Sequence, residues 1–442
     1  MRADRFCIVS LGCAKNTVDS QSMAQLLEQQ GFEFEEDPAR AGVVIVNTCG
    51  FIGDAREESY QVLGELARKK KKQQLLIAAG CLTQRYRDQV AREIPGIDGL
   101  IGTRHWMDIV SLVDAIRQRK TPQPVYHIPE APSLHDGEDV FRVADQGASA
   151  YLKIADGCRR PCAFCAIPLI KGTQISRPLD NILRDAQLLS DAGKKEVILI
   201  AQDTTDYGSD LGTQDGLSQL LDAVTAEKFG FPWLRVMYAY PGYVTDRLID
   251  LMASRQQIVH YLDIPLQHGH HDTLKRMKRP HNVDWVRKTI AKMRTAMPDL
   301  CIRTTFIVGY PGETEQEFQT LLDFMSEMQF DRAGAFVFSH EPGTASETLG
   351  DPIPLQVKEE RLGRLMMLQE EISLAKNQKM VGRVMDVLIE GSGDGISLGR
   401  TYRDAPEIDG MVIVQGEQAV GEMVRVRIDG AMVHDLSGMV ID

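Results

Sequence analysis

The 442-residue sequence has no apolar run of the roughly eighteen residues that would read as a membrane span. Its opening stretch, "MRADRFCIVSLG", lacks the basic, apolar and small-residue zones of a secretory signal and passes directly into a strand-like run. Both absences predict a cytoplasmic protein with no membrane partner. In that compartment thiols stay reduced, and close-set cysteines serve metals or catalysis rather than disulfides. A basic excess is also missing. The net charge is −12, which argues against a nonspecific nucleic-acid binder. The one cationic run, "RKKKK" at Arg68–Lys72, follows a helical pattern and reads as charge placed at a helix C-terminus. There is no internal repeat and no low-complexity segment.

The most informative absence is that of a fourth cysteine. In "GCRRPCAFCAIP", residues 157–168, Cys158, Cys162 and Cys165 stand close together and no further cysteine follows nearby. The nearest histidines, His127, His135 and His260, lie in a proline-rich stretch or far along the chain. A structural zinc site closes itself with four protein ligands. A cubane cluster has four irons, so three thiolates leave one iron open to something that is not protein. The trio therefore fits a [4Fe–4S] cluster whose unique iron takes a substrate or cofactor.

What is present is the composition of a globular α/β protein, 43% hydrophobic and 25% charged, long enough for about three domains. Residues 1–118 alternate short apolar strands ("RFCIVSLG", "GVVIVNTC", "QLLIAAGC") with helical stretches, one of which stops at Gly31. This predicts an open parallel α/β sheet domain. Residues 119–143, carrying Pro122, Pro124, Pro129 and Pro132, read as a linker. Residues 144–376 hold about six strand–helix units ending in a long charged helix, which predicts a partial (β/α)₆ barrel rather than a complete one. Residues 377–442 are short alternating runs closed by glycines, the pattern of a small antiparallel β-barrel.

Of the eight cysteines, Cys7 and Cys301 sit inside strand patterns and read as buried apolar residues. Cys13, Cys49 and Cys81 each fall just past the carboxyl end of a predicted parallel strand, beside Gly12, Gly50 and Gly80. Those strand ends share one edge of an open sheet, where ligands bind. Three cysteines converging there predict a second metal or cluster site.

Cys-x₃-Cys-x₂-Cys at the start of a partial barrel resembles the radical S-adenosylmethionine (SAM) superfamily. "FIVGYPGETEQEF", with Gly309 and Gly312, resembles that superfamily's adenine-side strand. "AQDTTDYG", with Gln202 and Asp203, occupies the place where the methionine end is bound, and Phe164 matches the usual aromatic between the second and third cysteines. "SLGCAKNTVDS", "VNTCGFI" and "AAGCLTQ" ahead of this motif, with a barrel tail behind it, resemble the methylthiotransferases over essentially the entire chain. The resemblance implies two [4Fe–4S] clusters, on Cys158, Cys162, Cys165 and on Cys13, Cys49, Cys81, with the tail as a substrate-docking TRAM domain. It implies replacement of an unactivated C–H by C–SCH₃ with two SAM molecules, one as methyl donor and one as radical source. A low-potential electron donor and a sulfur donor are implied partners. A carbon with no acidic proton requires a hydrogen-atom abstractor, and the carbon radical must meet a sulfur already held nearby. No side chain is singled out as a catalytic acid or base.

The family divides into modifiers of tRNA adenosine 37 and RimO-type enzymes that act at the β-carbon of an aspartate in small-subunit ribosomal protein twelve. Residues 377–442 carry 6 Lys and Arg against 11 Asp and Glu, a net charge of −5. An RNA-gripping domain should be basic, whereas an acidic one suits a basic ribosomal protein. "GRTYRDAPEIDG" and "IPLIKGTQISRP" also resemble the RimO type. The expectation is therefore a protein substrate, docked by Asp404, Glu407 and Asp409. In "LQHGHH" the resemblance covers His268, while His270 and His271 read as surface residues at a helix start. A different radical methylase, or a non-catalytic ribosome- or RNA-binding module, are the rival readings.

Overall fold

The computed structural model describes residues 4–131 and 140–441. Pro132 and His135 of the predicted linker lie outside the described residues. The first sheet has six parallel strands in the order Glu33–Phe34, Arg5–Ser10, Val43–Thr48, Leu75–Gly80, Gly99–Gly102 and Val125–His127. Val43–Thr48 is buried along its whole length, as a strand covered on both faces must be. Helices Ala14–Gln29 and Ile109–Gln118 cover one face, and Gly53–Lys69 and Cys81–Glu93 the other. Arg68 and Lys69 fall in the last turn of their helix, while Lys70 pairs with Asp98 at 2.5 Å. Val125–His127 corrects the linker reading: this stretch adds an edge strand. Flanking prolines hide it, and proline is tolerated beside an edge strand because no inner ladder needs its N–H.

The second sheet has six parallel strands, Ser149–Lys153, Glu196–Ile200, Trp233–Val236, Ile258–Asp263, Cys301–Val308 and Arg332–Val337. Val143–Gln146 is added antiparallel at the open edge. The helices pack on one face over the largest apolar core. The opposite, inner face (Tyr151, Ile198, Ile200, Tyr261, Cys301) is closed by residues from both ends of the chain: Val18 from the first helix, and Leu388 and Ala405 from the tail. Cys7 and Cys301 are buried, as their strand settings predict.

After the helix Leu355–Gln378, five strands form a closed barrel, Val384–Gly393, Ile396–Arg400, Val412–Gln415, Leu436–Val440 and Met423–Ala431. It is not antiparallel throughout, because Val412–Gln415 and Leu436–Val440 run parallel. A closed ring with an odd number of strands cannot alternate direction all the way round, so one parallel pair is required. Among the described residues no helix is long and apolar enough to cross a membrane.

Candidate active site

The loop carrying Cys158, Cys162 and Cys165 leaves the carboxyl end of the sheet after Ala155–Asp156. Gly157 turns it with φ +77°, and a Cβ there would collide with the Thr173 carbonyl oxygen. The loop is held through its backbone. Cys158 N–H donates to Gly172 O at 3.1 Å, Ala163 N–H to Met277 O at 2.8 Å, and Ser346 N–H to Ala163 O at 2.8 Å. The three cysteines line a hollow of about 350 Å³ together with Arg159, Arg160 and Thr344. Arg279 Nη1 lies 3.5 Å from Cys162 Sγ, and the Tyr240 hydroxyl lies 3.7 Å from the same sulfur.

Cys13, Cys49 and Cys81 converge on the carboxyl edge of the first sheet. Asn16 laces the site, its Nδ2 donating to Leu11 O at 2.9 Å and Thr48 O at 3.0 Å. Ser59 Oγ accepts from Cys49 N–H at 3.0 Å and donates to Cys49 O at 2.8 Å. Gly80 has φ +97°, and a side chain there would strike Asn47 and the Thr48 backbone. Gly12 and Gly50 are similarly pressed, against Cys49 and Leu82.

Among the described residues neither trio draws its three sulfurs within 4.8 Å of one another. One tetrahedral zinc, with Zn–S near 2.3 Å, would hold them roughly 3.8 Å apart. Neither trio is therefore gathered about a single zinc. Burial pushes the Cys158 thiol up to about 11 and those of Cys81 and Cys165 to about 12. A bare thiolate is too costly there, whereas a bound cation replaces the proton outright. Cys13 is an exposed residue; desolvation of its sulfur opposes ionisation, but Lys15 and the N–H groups of Asn16 and Lys15 pull its pKa below the ordinary thiol value.

The two sites share a wall. Ala166, next to Cys165, and Ile170 pack directly on Cys81, with Phe51 at the side. Behind this wall Asp19 accepts from Lys153 at 2.7 Å, Lys171 at 3.0 Å and Arg142 at 3.0 Å, and Asp156 shares the same three cations. This buried network fixes the first helix against the second sheet. A short strand-end segment also spans the two sites. Tyr240 approaches Cys162, and Tyr238 carries the Lys15 ammonium 3.4 Å from its ring centroid.

The other sequence-predicted residues divide. Phe164 packs with Tyr310 and Phe338 beside the turn that holds Gly309 (φ +72°) and Gly312 (φ +81°), so these are brought together. Buried Glu313 receives the Gly309 N–H and pairs with His268 at 3.1 Å and Arg361 at 3.0 Å. Gln202 reaches Asp156 at 3.5 Å and leaves its buried Oε1 without a partner. Asp203 is taken up by Arg160 at 2.6 Å and by Thr205 at 2.5 Å, which makes it an anchor of the loop. His270 caps the helix His271–Arg276.

Asp404 and Asp409 correct the docking expectation. Asp404 is 2% exposed and pairs with Arg332 at 2.7 Å; Asp409 accepts from the Tyr261 hydroxyl at 2.7 Å and pairs with Arg303 at 3.3 Å. Their charges are spent inside the molecule, and of the three only Glu407 is exposed. Lys15 and Tyr238 were not singled out by the sequence reading. Lys15 stands two places after Cys13 and so had a signal, but nothing in the sequence marks Tyr238.

A thiol-lined loop at the carboxyl mouth of an open (β/α)₆ sheet defines a radical SAM enzyme. Residues 5–102 match the Uncharacterized protein family UPF0004, residues 152–325 the Radical SAM superfamily, and residues 381–441 the TRAM domain. The chain is 46% identical over 460 residues to the ribosomal protein uS12 methylthiotransferase RimO of Roseiflexus sp. (strain RS-1), covering 99% of this chain and 97% of that one. It is 47% identical over 451 residues to the protein of the same name from Chloroflexus aurantiacus, covering 98% and 99%. The radical SAM methyltransferase TsrM from Kitasatospora setae, with tryptophan and a SAM analog bound, shares the fold. The TM-score is 0.58 at 14% identity, over 92% of this chain and 80% of that one. The chain belongs to the RimO family of radical SAM methylthiotransferases. It is a transferase, and its cofactors are SAM and [4Fe–4S] clusters.

Proposed function

We propose that this chain exchanges a hydrogen on the β-carbon of an aspartate in small-subunit ribosomal protein uS12 for a methylthio group. The observation that carries the reading is the shared wall of Cys81, Ala166 and Ile170, which sets two cysteine trios side by side at one mouth. In this reading Cys158, Cys162 and Cys165 hold one [4Fe–4S] cluster and Cys13, Cys49 and Cys81 the other. Phe164 and the Gly309–Gly312 turn would border the adenosine end of SAM, and the free Gln202 Oε1 would accept from its amino group. Asp203 acts through Arg160. When bound, the first cluster would supply an electron for reductive cleavage of SAM, and the second would hold the sulfur to be transferred. The side chains exclude water and fix the approach of carbon to sulfur, which is worth far more than any acid–base help for a C–H with no acidic proton. A low-potential electron donor and a sulfur donor complete the cycle, in the cytoplasm where ribosomes are assembled.

The test is mass spectrometry of uS12 and tRNA from cells with and without this gene. A methylthio mass shift on uS12 that disappears with the gene is expected. A shift lost from tRNA, with uS12 unaffected, would overturn the reading in favour of adenosine 37.

A further inference from the structure

We propose that Lys15 is the subsite for the carboxylate of the substrate side chain, which makes it the residue that selects an acidic target; this rests on the reading above. Lys15 is the second residue of the helix Ala14–Gln29, two places after Cys13, and its ammonium lies over the ring of Tyr238. Tyr238 follows the strand Trp233–Val236 at the carboxyl mouth of the second sheet. Its backbone is held at φ +62°, a conformation costly for a bulky residue, and its N–H donates to Asp263 at 3.2 Å. The strained segment therefore presents an aromatic face to the cation.

Charge accounting at this mouth separates Lys15 from its neighbours. Lys153, Lys171 and Arg142 each pair with both Asp19 and Asp156, Arg160 pairs with Asp203, and Arg303 with Asp263 and Asp409. Among the described residues Lys15 and Arg279 have no carboxylate within ion-pair distance, and each stands beside a cysteine trio. Arg279 directs its guanidinium at the Cys162 sulfur. Lys15 makes no such bond to Cys13, and a half-buried ammonium resting on a π-face retains donors for an incoming anion.

The chemistry of the target supplies the fit. An aspartate β-carbon is one bond from its carboxylate, so gripping the carboxylate fixes the reacting C–H. A grip beside Cys13, against the Tyr238–Tyr240 segment whose Tyr240 hydroxyl approaches Cys162, holds that C–H next to a segment that touches both sites. A neutral adenine offers this cation only uncharged ring-nitrogen acceptors, a weaker hold than a carboxylate gives.

The experiment uses the full-length enzyme with both clusters and intact uS12. Lys15→Met should raise KM for uS12 on the order of tenfold to hundredfold, the usual effect of losing a charge-assisted hydrogen bond, with iron content at the wild-type level. Lys15→Arg should recover most of the loss. A uS12 variant with the target Asp→Asn should be penalised in kcat/KM by the wild-type enzyme and not further by Lys15→Met, because the two changes remove one interaction. An unchanged KM, or penalties that simply add, would overturn the assignment. So would loss of iron from Lys15→Met with no change in KM, which would give Lys15 to the auxiliary site. Failure of the wild-type enzyme to modify uS12 would overturn the proposed function and this subsite together, and is distinguishable because it precedes any variant.

Discussion

Arg332 on the last strand of the second sheet donates to Asp404 of the tail across 2.7 Å, with both side chains almost wholly buried. An acidic residue of the tail is thereby an internal joint. Asp404 also accepts from Thr401 at 2.9 Å, and its neighbour Arg403 reaches back to Asp331 at 3.1 Å. The tail is welded to the sheet by charge pairs that each cross the junction.

Removing one partner of such a pair leaves an uncompensated buried charge. Asp404→Ala should therefore destabilise the junction by about 3–5 kcal/mol. Limited proteolysis should release the tail from the variant at urea concentrations where the wild type stays intact. If the variant resisted proteolysis like the wild type but bound uS12 less tightly, Asp404 would be a docking residue after all.

The cysteine trios should separate by iron content. Two cubanes give about eight irons per chain, four in each. Replacing Cys158, Cys162 and Cys165 by Ala should leave about half the iron and abolish 5′-deoxyadenosine formation. Replacing Cys13, Cys49 and Cys81 should also leave about half, with 5′-deoxyadenosine still formed and no methylthiolated product. Full product from the second variant would show that those cysteines do not hold the transferred sulfur.

Glu196 should set part of the acid limit of the tail junction. Burial would raise its pKa, but Arg235 and Arg400, each at 2.7 Å, hold it down at about 2 against an ordinary 4.5. A carboxylate depressed in the folded state contributes fully above its unfolded pKa, and that contribution is lost as pH falls through the folded one. The stability advantage of the wild type over Glu196→Gln should be constant above pH ~5 and shrink between about 4.5 and about 2. Urea unfolding of both proteins across that range measures it. A difference that stays flat would mean that Glu196 is not an ionised partner of Arg400.

Both cysteine trios were legible in the sequence because their determinants are local. Strand ends, the adjoining glycines and the loop after Asp156 are all written in short segments, and parallel strands must bring their carboxyl ends to one edge. The six-strand open barrel followed from the number of strand–helix units that the length allows. The edge strand Val125–His127 was not legible, since three residues among prolines carry no periodicity and pair only because a sheet edge stands beside them.

Charge was the poorest guide. The sequence by itself determined that the tail is acidic, but net charge carries no information about which side chains turn inward. Only the tertiary structure decided that Asp404 and Asp409 are consumed by Arg332 and Arg303. It likewise decided that Lys15, beside a cysteine the sequence had already marked, is left without a carboxylate partner among the described residues. Pairing depends on positions far apart in the chain arriving within a few ångströms, and a sequence pattern encodes neighbours along the chain rather than neighbours across a junction.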